Sequence, residues 1–365
     1  MRRYHPIVLI TSGWLLIHLV IWTIAPRFFP SEYPWPNMVR SMFDYWDATH
    51  YSAIAVEGYS GPVRWAFYPL YPLLVRIVSF VTLRARPDLV GAVISTILFL
   101  TFCYLQARIR TSPEQRLHGL KPETLWGWLF FLVWPASWVF HSHHTESLFL
   151  LLSFGAFVAA RNDRWVLASL LAGLCALTRN QGVFVAIAVA IESSFIQQRF
   201  KRRLMIFVST GMIAFVLFSL WPIYQLWTAG SPLMSFKAQA QFSLQATTLK
   251  QMIGTIWFAN SWQHPTWYFY IHHLAFLLLN VGVGFLVARR EYALAVYVFL
   301  SLWGPLYLGT LENQFRYGAI MFPALFVLGD TARRLPWSVR WSLFSVLIWL
   351  HVVCTWDYAV GRWAY

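Results

Sequence analysis

The sequence predicts an all-α polytopic membrane protein, and three observations carry that prediction. Of 365 residues, 58% are hydrophobic and 12% charged, against the ~25% charged share of an average soluble domain. Apolar runs of about twenty residues recur along the whole length, enough to span a ~30 Å hydrocarbon core. A β-barrel would alternate in short segments instead. The basic residues, which give a net charge of +14, fall mostly in short connections between the runs. In a soluble chain that charge would suggest nucleic acid. No nucleic-acid-binding motif is present, and topology and anionic headgroups account for it, so membrane lipids are the expected neighbours.

The elements follow in order. Arg2 and Arg3 before an apolar run resemble a signal peptide. The run from Ile7 to Ala25 is long for one and Pro26 follows the small-residue candidate site, so an uncleaved first span over 7–25 is expected. Residues 26–87 form a first outer loop. Further spans are expected near 88–107, 124–140, 146–160, 164–178, 183–198, 204–227, 266–288, 292–310, 318–332 and 341–358, about eleven in all. The stretch 71–83 is short and carries Arg76. Counting it as a span would put the basic loops 108–121 and 199–203 on opposite sides of the membrane. Without it, those loops share one side with Arg161, Arg164, Arg289, Arg290, Arg333, Arg334 and Arg340. That side and the N-terminus are then cytoplasmic by the positive-inside rule. Residues 71–83 are accordingly expected to be interfacial or re-entrant. The second long outer loop, 228–265, is rich in Gln and amphipathic around Phe236–Trp257, which suits a helix lying on the membrane surface. Cys103, Cys175 and Cys354 lie in apolar segments with neither disulfide nor zinc spacing. No repeat and no soluble domain interrupts the chain, so residues 1–365 are expected to form one integral domain.

This topology gathers polar patches on the outer face. The longest is residues 43–72. Asp47, His50, Tyr51, Ile54 and Gly58 recur there at helical spacing, and Tyr68-Pro69-Leu70-Tyr71-Pro72 closes the stretch. A desolvated carboxylate such as Asp47 or Asp44 can take a proton from a hydroxyl as general base; the alternative for either is a helix N-cap. His50, one turn from Asp47, is suited to orient that carboxylate or bind phosphate, and a purely structural role is the alternative. The run His141-Ser142-His143-His144-Thr145-Glu146 invites a metal reading, but adjacent His143 and His144 diverge on a helix and no HExxH pattern forms. A polar cap on a helix pair is one alternative; contact with sugar or phosphate, led by Glu146, is another. Arg179 and Arg316 sit on the outer side, where topology does not explain them. A guanidinium binds phosphate oxygens in pairs; the alternatives are snorkelling for Arg179 and pairing with Glu312 for Arg316.

In order and spacing these residues resemble the PIG-V family, the GPI mannosyltransferase 2 type. The match is carried by Trp46-Asp47-x-x-His50-Tyr51-x-x-Ile54-Ala55-x-x-Gly58-Tyr59, Phe67 to Pro72, Pro135-Ala136-Ser137, Thr145-Glu146-Ser147-Leu148-Phe149, and Ala172-Gly173-Leu174 to Thr178-Arg179-x-x-Gly182. Arg316-Tyr317 is a later echo. The resemblance implies a GT-C glycosyltransferase fold and a sugar donor carried on polyprenyl phosphate, typically as mannose. It also implies inversion at the anomeric carbon and an essential acid in the first outer loop, which maps to Asp47 with Asp44 close behind. Arg179, Arg316, Glu146, His144, Tyr68 and Tyr317 then make the donor-phosphate and substrate set.

The expected activity is therefore an inverting glycosyltransferase, most simply a mannosyltransferase, acting on a lipid or glycan acceptor at the outer face of a prokaryotic plasma membrane. No cofactor is required, because phosphate leaves without metal activation; a divalent ion is the remaining alternative. A transporter or flippase of lipid-linked sugars would also explain intramembrane polar residues but lacks the sign of inverted repeats. A non-catalytic membrane subunit is the third reading.

Overall fold

A computed structural model describes residues 5–28, 45–83, 85–110, 117–197, 199–242, 247–258, 266–309, 311, 313–362 and 364. Among them every regular element is helical. The helices are α1 (His5–Phe28), α2 (Asp47–Glu57), α3 (Leu70–Val81), α4 (Pro87–Arg110), α5 (Leu125–Leu132), α6 (Glu146–Arg161), α7 (Trp165–Ala176) and α8 (Gly182–Phe195). They continue with α9 (Phe200–Ala229), α10 (Met234–Gln239), α11 (Leu249–Phe258), α12 (Thr266–Ala288), α13 (Tyr292–Tyr307), α14 (Gln314–Ala319), α15 (Phe322–Ala332) and α16 (Trp337–Ala359). Single 3-10 segments lie at Val63–Ala66, Ser137–His141 and Ala240–Phe242.

Among the described residues, five helices are long and apolar enough to cross a bilayer: α1, α4, α9, α12 and α16. They leave large apolar side chains exposed, such as Leu16, Ile97, Phe215, Leu277 and Trp349, as lipid-facing helices do. The shorter helices are more enclosed. α6 and α15 are buried on most faces, with Phe154, Phe157, Phe322 and Phe326 inside. The molecule is thus an all-α polytopic membrane protein, with α6 and α15 its most enclosed helices.

Two expected spans are interrupted. Over 124–140, α5 stops at Leu132 and the chain resumes as the 3-10 segment Ser137–His141. Pro135 lies in the gap; it offers no N–H and disfavours helix in the residue before it. Over 318–332, Pro323 opens α15 after α14 has ended at Ala319. Such breaks survive here because protein covers them. Trp134 Nε1 donates to the Phe315 carbonyl at 2.6 Å, and Tyr297 Oη donates to the Ile320 carbonyl at 2.8 Å. The stretch 71–83 is helical as α3, but its twelve residues rise only ~18 Å, too short to cross alone. It packs on α2 and α4 through Tyr71 and Val75.

Close backbone contact sets the α5–α15 crossing. A Cβ on Gly329 would lie 2.5 Å from the Trp126 carbonyl oxygen, and one on Gly127 would lie 2.9 Å from that of Phe326. Asp330 fastens the same pair. It accepts from the Glu123 and Thr124 N–H groups at 2.8 Å each and from Thr124 Oγ1 at 2.6 Å.

Three buried imidazoles clasp α1 and α16 to the segment before α6. His141 Nε2 lies 2.8 Å from His18 Nδ1, and His18 Nε2 lies 2.7 Å from His351 Nε2. His351 Nδ1 is 3.0 Å from the Trp134 carbonyl oxygen, which accepts only, so Nδ1 carries the proton. That fixes the neutral tautomers in turn: His18 donates to His351, and His141 donates to His18.

Candidate active site

Four charged side chains from four parts of the chain meet in one place. Glu146, the first residue of α6, is fully buried. Its Oε1 accepts from Arg179 Nη1 and from Arg316 Nε, and Arg316 Nη1 reaches on to Asp47 Oδ2. Arg179 is held further by Thr145 Oγ1 at 3.0 Å and Gln181 Oε1 at 3.3 Å, with its guanidinium carbon 5.8 Å from the centre of the Tyr317 ring. Two guanidinium and two carboxylate groups sum to zero, which is how charges are tolerated away from water.

Local structure places each of them. Asp47 is not the cap of α2: Trp46 is, at φ 52°, and it makes no side-chain capping bond. As the first helical residue, Asp47 still gains from the positive end of the helix. Its side chain remains about a third exposed. Burial raises its pKa, but Arg316 and then His144 outweigh that, so the net shift is downward. Arg179 lies in the turn between α7 and α8, closed by Gly182, whose N–H donates to the Arg179 carbonyl at 3.0 Å. A Cβ on Gly182 would stand 2.2 Å from the backbone at Cys175 and Ala176. The Leu70 N–H reaches the Leu177 carbonyl at 3.0 Å, joining this turn to the start of α3. Arg316 is on α14, behind the Pro323 break.

A cavity of about 120 Å³ opens beside the cluster. Asp47, Arg179, Arg316, Tyr68 and Tyr317 line it together with Tyr51, Thr178, Asn180 and Gln239. Among the described residues Arg179 Nη2 has no hydrogen-bond acceptor. Tyr68 is buried, which pushes its hydroxyl up to about 12, so it stays a neutral donor. Glu146 stands behind the arginines rather than on the cavity wall.

Other expected residues go elsewhere. His50 stacks on Phe67, ring centres 4.6 Å apart, and makes no hydrogen bond to Asp47; burial lowers its pKa, with Asp47 opposing. The histidines of 141–146 diverge. His141 joins His18, His143 Nδ1 meets Tyr71 Oη at 2.9 Å, and His144 Nδ1 meets Ser142 Oγ at 2.8 Å between Trp138 and Tyr358. Among the described residues no three His, Cys, Asp or Glu side chains converge as metal ligands. Asp44 and Glu312 lie outside the described residues. Asn180, Gln181 and Gln239 were not singled out in the sequence, and Thr145 entered only as part of the Thr-Glu motif. Asn180 and Gln181 adjoin Arg179; Gln239 carries no local signal at all.

A family model for mannosyltransferase (PIG-V) matches residues 28–288. The chain belongs to the mannosyltransferase (PIG-V) family. The matched span holds Asp47, Glu146 and Arg179; Arg316 and Tyr317 lie beyond it. A curated relative, GPI mannosyltransferase 2 of Schizosaccharomyces pombe (strain 972 / ATCC 24843), is 26% identical over 151 residues. Those residues are 40% of this chain and 32% of the relative, so the chain matches about a third of that protein's length. No solved structure matches the chain. In this PIG-V family member Asp47 and the Thr178-Arg179 pair line one cavity, and the Thr145-Glu146 pair holds Arg179 from behind it.

Proposed function

We propose that the protein is an inverting glycosyltransferase of GT-C type. It moves mannose from a polyprenyl-phosphate carrier to a lipid or glycan acceptor on the outer face of the membrane. The observation that carries this reading is the convergence of Asp47, Arg179 and Arg316 on one cavity. In this reaction the acceptor oxygen attacks the anomeric carbon as the bond to the phosphate oxygen breaks. The acceptor proton passes to the Asp47 carboxylate, and the negative charge gathering on the phosphate is met by Arg179 and Arg316. Tyr68 and Tyr317 line the remaining wall and orient the sugar. His144 and Glu146 act behind, as the groups that position Arg316. The leaving phosphate supplies its own driving force, so the reaction as written uses no metal or other cofactor.

Orientation follows the basic residues: the ends carrying Arg161, Arg289 and Arg334 are cytoplasmic and the cavity faces out. The test is a transfer assay with purified protein in detergent, radiolabelled polyprenyl-phosphate mannose and host lipid extract. Label should enter a new glycolipid with the native protein and fall at least 100-fold with Asp47→Asn. Native rates in that variant would remove Asp47 from the reaction.

A further inference from the structure

A second cavity, of about 630 Å³, lies at the other end of the bundle. Glu146 begins α6 and Arg161 ends it, which sets the two regions ~22 Å apart along one helix axis. Arg161 is buried there, bonded to Glu192 at 2.8 Å, to Glu291 and to the His118 carbonyl. These bonds fix the floor of the cavity and neutralise Glu291 from behind.

The lining carries both signs of charge. Arg289 and Arg334 supply guanidinium groups, Glu123 and Glu291 carboxylates. Glu123 pairs with Arg289 at 2.9 Å yet keeps 40% of its side chain exposed. Arg334 makes no ion pair or hydrogen bond through its side chain among the described residues, and it is exposed. The position is as informative as the charges. Arg289 directly follows Ala288, the last residue of the span α12, and Arg334 lies two residues past the end of α15. Arg289 therefore stands where a membrane helix leaves hydrocarbon for headgroups, and Arg334, at the end of the shorter α15, lines the same cavity with the apolar Phe285 and Ala288.

We infer that this cavity binds the headgroup of an aminophospholipid, its phosphate on Arg334 and Arg289 and its ammonium on Glu123. A purely anionic headgroup would set its charge beside the Glu123 carboxylate, which keeps 40% of its side chain exposed and has Arg289 as its ion-pair partner. A zwitterion answers both signs. Basic clefts between membrane helices hold lipid phosphates by the same means, and a cavity of this size is of the order that takes small molecules. Phosphoethanolamine free in solution has the same chemistry as the lipid headgroup, and the test separates the two.

Native mass spectrometry of the purified full chain in detergent, titrated with phosphatidylethanolamine or phosphatidylglycerol, measures retained lipid. Phosphatidylethanolamine should be retained in preference. Arg334→Ala, which removes no side-chain hydrogen bond or ion pair among the described residues, should lower its retention about tenfold. Glu123→Gln should erase the preference over phosphatidylglycerol while phosphatidylglycerol retention holds or rises. Displacement of the lipid by millimolar phosphoethanolamine would assign the soluble source, and persistence of the lipid would assign the membrane. Equal retention of the two lipids by the native protein, or unchanged retention in Arg334→Ala, overturns the proposal. Neither residue touches the outer cluster, so failure here leaves the glycosyltransferase reading intact.

Discussion

The carboxylate of Glu146 accepts a hydrogen bond from Arg316, 170 residues away in the chain and in a different helix. That bond closes the bundle around the site. Breaking a buried ion pair by removing one partner costs about 3–5 kcal/mol, because the other charge stays buried. Arg316→Ala should therefore lower stability by that order, and Glu146→Gln, which leaves Arg179 without a carboxylate and Arg316 with Asp47 alone, by a similar order. Thermal unfolding in detergent, followed by loss of monodisperse protein, measures both. The double variant Glu146→Gln/Arg316→Gln should lose less than the two single losses added together.

Arg179 is expected to bind donor phosphate through its fork. Arg179→Lys keeps the charge and loses the paired geometry. The KM for the carrier-linked sugar should rise about tenfold, with a smaller change in kcat. A change in kcat alone would instead place Arg179 at the step of bond breaking.

His143 and His144 lie outside the spans and are buried. Burial holds both well below the usual imidazole value, at about 3; like-charged His144 adds to this for His143, and Arg316 adds to it for His144. Both are neutral at pH 7. In the unfolded chain they take up protons near pH 6.5. Between about pH 3 and 6.5 the unfolded state binds more protons, so stability rises with pH across that window and falls on acidification. Each group contributes a slope of roughly 1.4 kcal/mol per pH unit. Melting profiles at pH 4 to 7 should show the slope, and His144→Asn should reduce it. Asp47 acts in a lower window. Its pKa is depressed below 3.8, so its contribution is present above that value and disappears as the pH falls through the folded one.

Gly182→Ala should destabilise the turn that presents Arg179. The added methyl would sit 2.2 Å from backbone atoms of the preceding helix, and backbone cannot rotate away as a side chain can. A loss of about 3 kcal/mol or more is expected, with activity falling alongside it. Gly211→Ala, where a Cβ meets nothing within 4 Å, is the control and should leave both unchanged.

The helices themselves were legible. Hydropathy located α12 to the residue pair and most others within a few positions, because a membrane span is a local property of composition. What hydropathy hid was the break at Pro135, where apolar residues continue on both sides of a stop. The charges of the site were legible one at a time, as groups out of place in an apolar chain. Their pairing was not, since Asp47 and Arg316 are 269 residues apart and no periodicity connects them. Helical spacing brought His50 beside Asp47 on paper, but the flat face of Phe67 takes the imidazole instead. His141 stands in a run whose spacing argued against a metal and left a polar cap or a sugar or phosphate contact. Its real partners, His18 and His351, sit singly in long apolar segments where nothing local marks them.

The charge balance around Arg316 bears on timing. At rest each guanidinium of the cluster already grips a carboxylate, which on the proposed reaction stands in for the donor phosphate. A phosphate that drew Arg316 toward itself would leave Asp47 without its cation. Burial and the nearby Glu146 charge would then outweigh less opposition, His144 alone remaining against them, and that carboxylate's appetite for a proton would rise. The base would gain strength only once a donor was in place. Before that moment, any hydroxyl in the cavity, water included, would meet an acid group too weakly basic to arm it.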